Sequence, residues 1–382
     1  MRPLLSFICA RMVASTNAGL ATAPPNDVRI AETVTTLADS NQISKQTFGY
    51  DDSVPFNNQN SVKEYDYGSG VVGSLKRVTR TTYQRSASYT GTSVHIRNLP
   101  TQVSIFEGLV ERARTTYEYD NYPVDSNHSP LTNRPSISGF DATFTTGYPT
   151  RGNVTGITRY LLSGGAVTGS ISSYSQYDIA GNVTKIIDGR GNATELNYDD
   201  CFGAPNGEAR TPSAPTELAG LYSWAFATSI KNPLNHWTYS QFDFYLGAPV
   251  DGEDANGVVA SGTYNDSLDR PTQIRRAAGT SITNQTTFSY DDTNRVITTS
   301  SDRDTNNDNV LINSLVYDQM GRTKETRQYV GGGNYIAIRS EYDALGRLYK
   351  TSNPLGMGET PVWTTTTFDA LSRVITVTTP DS

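Results

Sequence analysis

A hexapeptide that returns at a nearly fixed interval constrains this chain more than any other feature. Tyr290-Asp291-Asp292-Thr293-Asn294-Arg295, Tyr317-Asp318-Gln319-Met320-Gly321-Arg322, Tyr342-Asp343-Ala344-Leu345-Gly346-Arg347 and Phe368-Asp369-Ala370-Leu371-Ser372-Arg373 are versions of one motif, spaced 27, 25 and 26 residues apart. A period in the twenties marks a repeat architecture, in which each unit buries surface only against its neighbours. A stretched copy runs from Tyr264 to Arg270, and Tyr177-Asp178-Ile179-Ala180-Gly181-Asn182 is another. Tyr198-Asp199-Asp200 and Phe242-Asp243 keep less of it, and upstream the copies fade to Tyr119-Asp120-Asn121 and Tyr65-Asp66-Tyr67-Gly68.

The motif reads as a turn between two strands. Val362 to Thr367 and Thr283 to Phe288 lead into it, and Val374 to Thr378 and Val296 to Thr299 lead out, all rich in β-branched or aromatic residues. The Asp accepts hydrogen bonds from amides two residues on, and Gly321 or Gly346 supplies the positive φ of a tight reversal. Asn182 and Asn294 read as tolerated substitutes near such positions, and Ser372 as a poorer one. The Tyr ends the incoming strand with its ring on the sheet, and the Arg opens the outgoing strand where it can stack or pair. Asp188 to Asn192, Asp251 to Gly257 and Gly331 to Asn334 are turn sequences for the opposite hairpin ends. Gly203 to Gly220, with three prolines, is the clearest irregular loop, and Leu218 to Ile230 is expected to hold one short helix.

The expected fold class is therefore all-β: repeated antiparallel hairpins forming a ribbon. Residues 1–44 read as a poorly structured N-terminal segment, 45–170 as degenerate repeats and 171–382 as the regular array. With 36% hydrophobic residues but 23 tyrosines, buried area must come largely from rings rather than from one thick core. The net charge of −7 excludes a phosphate-binding face, hence no nucleic-acid partner. No apolar run is long enough for a membrane span. Arg11 interrupts the apolar stretch near the start, so residues 1–14 make a poor signal peptide.

Candidate chemistry is sparse. His95, His128 and His236 lack metal-ligand spacing and read as surface or turn residues. Cys9 and Cys201 form no CxxC pair and read as buried or incidental thiols. No G-x-S-x-G elbow is present. Asp302, Asp304, Asn306 and Asp308 offer alternating oxygens for a hard cation, but Asn307 and Asn313 stand where an EF-hand needs Gly and Glu, so a solvated hairpin tip is expected. Gly331 to Gly333 lacks a following helix or Lys-Ser/Thr for phosphate. Hence no catalytic residue, cofactor or metal is assigned, and the chain is not read as an enzyme. Trp224, Trp237 and Trp363 are the residues that could stack on a sugar, the basis for an alternative reading as a carbohydrate-binding or adhesion module.

Tyr-Asp-x-x-Gly-Arg at this period resembles the YD repeat of Rhs proteins, toxin-complex shell subunits and teneurins. The resemblance covers Ile171 to Ser382 well and Lys45 to Ser170 weakly. It implies a strand ribbon wound into a spiral or partial shell, in bacteria often enclosing a C-terminal toxin. A structural shell segment of a larger secreted or cell-envelope protein is therefore expected, with an additional repeat chain or a core/toxin region as partner and a glycan as a possible ligand. No self-cleavage segment or cargo is recognisable. Roughly 13 repeats of two strands at about 4.8 Å give a ribbon of about 120 Å, enough for a ring only about 40 Å across. The functional object is thus expected to contain more chain.

Overall fold

The computed structural model describes residues 6–15, 26–54, 56–206 and 213–381, with side chains from Arg29 onward. Two compact units are formed, Met1–Leu196 and Asn197–Ser382. Each is an antiparallel meander. In the first, the successive strands Gln42–Tyr50, Gln59–Tyr65, Leu75–Tyr83, Pro100–Glu107, Val110–Tyr119, Val154–Ser163, Ala166–Tyr177 and Val183–Ile187 pair in order. In the second, the ribbon runs through Trp237–Phe242, Pro249–Glu253, Val259–Thr263, Gln273–Arg276, Asn284–Asp291, Val296–Ser301, Leu311–Tyr317, Thr323–Gly331, Asn334–Tyr342, Leu348–Ser352, Trp363–Phe368 and Val374–Thr378. Helix among the described residues is confined to Ala87–Thr90 and two 3-10 turns, so the all-β expectation holds.

Directly opposed hydroxyls explain the richness in Thr and Ser. Thr158 meets Ser172 at 2.8 Å, Thr286 meets Ser301 at 2.9 Å and Thr298 meets Ser314 at 2.8 Å, each across one strand pair. The ribbon buries one face on small residues: Ser314 and Ala337 are both 1% exposed. Its other face shows aliphatics, Leu315 and Ile338 among them, about two-fifths open. Such a sheet has no thick core, and its cohesion lies in main-chain ladders, opposed hydroxyls and turn side chains.

Three expectations are corrected. Strands Ser6–Ser15 and Asn26–Leu37 pair with each other, and Asn26–Leu37 pairs on with Gln42–Tyr50, so residues 6–15 and 26–44 are not poorly structured. The rest of segment 1–44 lies outside the described residues. The run Thr33–Thr36 is β-forming in itself but carries no Tyr-Asp pair to announce it. Tyr65-Asp66 is not an early motif copy: it lies at the opposite end of the ribbon from the other copies, where Asp66 N–H bonds Ser74 O. The true copies in this region are Tyr50-Asp51, closing on Asn58 O, and Tyr83-Gln84, closing on Leu99 O. Finally, Leu218 to Ile230 forms no α-helix beyond the end of the 3-10 turn Thr216–Leu218. The amides of Ser223 and Trp224 bond the Asp200 carboxylate at 2.7 and 3.1 Å instead of carbonyls four residues back.

Candidate functional site

The repeated turn is the most ordered chemical feature of the chain. At Tyr317-Asp318, the Asp318 amide donates to Arg322 O and the Gly321 amide to Asp318 O, at 2.9 and 3.2 Å. One carboxylate oxygen accepts Met320 N–H and Arg322 N–H at 2.8 and 2.9 Å, and the other accepts Arg322 Nε at 2.7 Å. Asp343 and Asp369 repeat the arrangement with Arg347 and Arg373. The fifth motif residue has φ of 77° at Gly321, 80° at Gly346 and 63° at Ser372. Hydrogen bonds from the backbone amides of Arg322, Arg347 and Arg373 are the main reason that these three carboxyls titrate below the ordinary Asp range.

The same turn serves the opposite hairpin ends: Asp188, Asn232 and Asp254 each accept two amides, with Gly191, Asn235 and Gly257 at positive φ. Asn182 and Asn294 do not take the glycine position. Asn182 stands where the arginine stands elsewhere and donates to Asp178 at 3.2 Å, after Gly181 at φ 87°. Near Asn294 the positive φ falls on Arg295, because strand Asn284–Asp291 runs one residue further into the turn.

Three of the motif arginines also reach forward. Arg270 lies over the Tyr290 ring at 4.0 Å, Arg322 over Tyr342 at 4.5 Å and Arg347 over Phe368 at 4.7 Å. The hydroxyl of that next tyrosine donates to the carbonyl of the residue following the arginine: Tyr290 to Pro271 at 2.7 Å and Tyr342 to Thr323 at 2.9 Å. The fading copies use the same bond. Tyr83 donates to Gln59 O, Tyr119 to Pro100 O and Tyr177 to Val154 O, at 2.8 to 2.9 Å. The motif therefore closes its own turn and fastens the next repeat.

Two first-unit copies are interrupted by long insertions. Tyr83-Gln84 is separated from its closing Leu99 by a loop carrying helix Ala87–Thr90. In Tyr119-Asp120 the carboxylate binds the amides of Arg151, Gly152 and Asn153 at 2.7 to 2.9 Å. Gly152 and Asn153 thus fill the Gly-Arg positions, but 32 and 33 residues after the Asp. A repeat search keyed to sequence spacing cannot see this closure. The insertion docks on the next motif: Arg134 Nε binds Asp178 at 2.9 Å, and the Arg151 guanidinium bonds the carbonyls of Tyr148, Ile179, Thr145 and Phe144. A cleft of about 380 Å³ opens where the loops meet, lined by Ser93, Ile96, Phe144, Tyr148, Asn153 and Gly181 among others.

The candidate residues scatter. His95 sits at φ 60° in the first insertion and His236 is exposed in a turn, as expected. His128 is not a surface residue; it is 8% exposed, bonded to Asp125 and Glu118. Cys201 is buried, and the side chain of Cys9 lies outside the described set. The oxygens of Asp302 accept the amides of Gln285, Asn307 and Asn309, and those of Asp308 accept the amides of Arg303, Asp304 and Thr305. Asp302 itself is buried where those amides replace water, and residues 303–307 form the exposed tip that was expected. No group of three or more His, Cys, Asp or Glu suited to a metal occurs among the described residues. Gly331, Gly332 and Gly333 all have positive φ in a hairpin turn. Trp224 is buried beside Tyr222, Trp237 lies parallel to Tyr239, and Trp363 lies under Lys350, so the three share no platform.

The stacking of hairpin on hairpin by one turn can be compared with known folds. The crystal structure of TcdB2-TccC3-Cdc42 aligns with 89% of this chain at a TM-score of 0.53 and 14% identity. This chain folds like part of TcdB2-TccC3. A second crystal structure, TcdB2-TccC3-TEV, aligns over 91% at 0.52 and 15% identity. The chain spans only 15% and 16% of the length of these TcdB2-TccC3 chains. No protein-family model and no curated protein matches the sequence.

Proposed function

We propose that this chain is a structural wall segment of YD/Rhs type, part of a larger secreted or envelope-associated bacterial protein of the polymorphic-toxin kind, without catalysis of its own. The observation that carries the reading is the forward fastening, in which Arg and Tyr of successive motifs lock one hairpin onto the next at Arg270–Tyr290 and Arg322–Tyr342. A motif spent on this lock has its Asp, Arg and Tyr groups engaged in holding structure. The likeness to TcdB2-TccC3 in fold supports the same reading. Its partners would be further repeats and a core or toxin region enclosed by them. Electron microscopy of the polypeptide in its native context tests this. A hollow particle whose wall continues the ribbon is expected, and a free-standing compact domain joined to no other repeats would remove the reading.

A second reading, glycan binding, rests on Trp237, which is 37% exposed and lies 6.1 Å from Tyr239 at an interplanar angle of 7°. Paired parallel rings suit the apolar face of a sugar. Glycan-array binding lost in Trp237→Ala would support it, and no binding to any glycan would end it.

A further inference from the structure

We propose that His128 is a pH-sensitive latch, which as imidazolium ties residues 121–130 of the long insertion to the ribbon and on deprotonation loosens that segment. The geometry carries this. Nδ1 of His128 lies 2.8 Å from Asp125 Oδ2, within the insertion, and Nε2 lies 2.8 Å from Glu118 Oε1, on the strand Val110–Tyr119. A neutral imidazole has one N–H, so one of these contacts would then set a lone pair against a carboxylate oxygen. Only the cation donates to both.

Apart from the two carboxylates, only a weak contact to Asn121 is within reach of the ring nitrogens among the described residues. From Val154–Ser163, Thr155 gives its hydroxyl to Glu118 Oε1 at 3.1 Å rather than to the ring. From Ala166–Tyr177, Tyr174 presents a ring at 5.2 Å in a T-shaped contact, and Gln176 bonds Asn127 O and Ser129. Asn121 Nδ2 lies 3.5 Å from Nε2, at the limit of a hydrogen bond. The charged groups facing His128 are thus Glu118 and Asp125.

Burial acts to lower the pKa of His128, but the bonds to Asp125 and Glu118 outweigh it and the net direction is upward. Asp125 is held down to about 2, chiefly by its bond from His128. A raised imidazole pKa stabilises the docked state fully below the ordinary histidine value, and this contribution is lost as pH rises through the native value. Segment 121–130 therefore docks in acid-to-neutral solution and loosens in alkaline solution. The tie is local, because Arg134 and Arg151 hold the remainder of the insertion by contacts that do not involve the ring.

Amide hydrogen exchange on the full chain, read by mass spectrometry and corrected for the intrinsic rate at each pH, tests the latch. The expected result is protection of residues 121–130 that falls stepwise as pH rises above 6.5, the ordinary histidine value, while strand Ala166–Tyr177 stays protected. In His128→Gln the step should vanish. In Glu118→Gln it should move to lower pH, since a neutral amide no longer favours the charged ring. A wild-type profile without the step, a step that persists in His128→Gln or stays put in Glu118→Gln, or simultaneous loss across Ala166–Tyr177, would overturn the proposal.

Discussion

Arg134 places its guanidinium 2.9 Å from the carboxylate of Asp178, so an arginine from the insertion does for that turn what the motif's own arginine does elsewhere. The motif at Asp178 ends in Asn182, whose shorter side chain reaches the same carboxylate oxygen only as an amide. Asp178 is fully buried, and Arg134 is 9% exposed by side chain. A second case is Asp51, whose turn closes on Asn58 and whose carboxylate binds Arg85 from the next insertion. Arg134→Ala leaves a buried carboxylate without its cation and should cost about 3 kcal/mol in urea unfolding. Asn182→Arg in that background should recover a large part of the loss, while the same substitution alone should gain little. Failure of the rescue would mean that Arg134 acts through packing.

The hydroxyl lock separates cleanly from the ring contact. Tyr342→Phe keeps the ring under Arg322 but removes the bond to Thr323 O, for an expected loss of about 1 kcal/mol. Phe368 is a natural version of that change, stacked on Arg347 without a hydroxyl. Phe368→Tyr should therefore stabilise its repeat by a similar amount, read as slower exchange of the amides in Leu348–Ser352.

Gly346 has φ 80°, and a Cβ added there would approach Arg322 Nη1 to 3.4 Å. A β-branched residue is strained in that conformation whatever the space, so Gly346→Val should cost about 1–3 kcal/mol. Gly346→Asn should cost clearly less, because Asn tolerates left-handed backbone. Thermal unfolding of the two variants distinguishes backbone strain from crowding against Arg322.

Acid should unfasten the turns. Asp266 is pulled to about 2, first by the Arg270 side chain, and Asp318, Asp343 and Asp369 also titrate below the ordinary 3.8. A depressed carboxyl pKa contributes stability above the unfolded value and loses it as pH falls through the folded value. Thermal unfolding should therefore be flat from about pH 6 to 5 and fall between about pH 4 and 2. Asp343→Asn should flatten part of that fall, since an amide does not titrate.

The regular repeat was legible because its determinants are local. The carboxylate of Asp318 reaches amides two and four residues on, and such a turn leaves its signature at fixed spacing in any sequence that forms it. Strand class followed from the β-branched runs on either side, and the left-handed backbone at Gly346 and Ser372 from the turn itself. The sequence by itself thus determined the hairpin, its period and its all-β class. Tertiary structure decided what each turn is closed by. Asp120 finds its glycine 32 residues away, Asp178 its cation 44 residues upstream, and His128 its second carboxylate on a neighbouring strand. Tyr65-Asp66 shows the converse, a correct dipeptide at the wrong end of the ribbon. Hydrogen bonds and ion pairs depend on distance in space, and a ribbon that folds every strand back on the last brings remote residues within bonding range without any fixed interval between them.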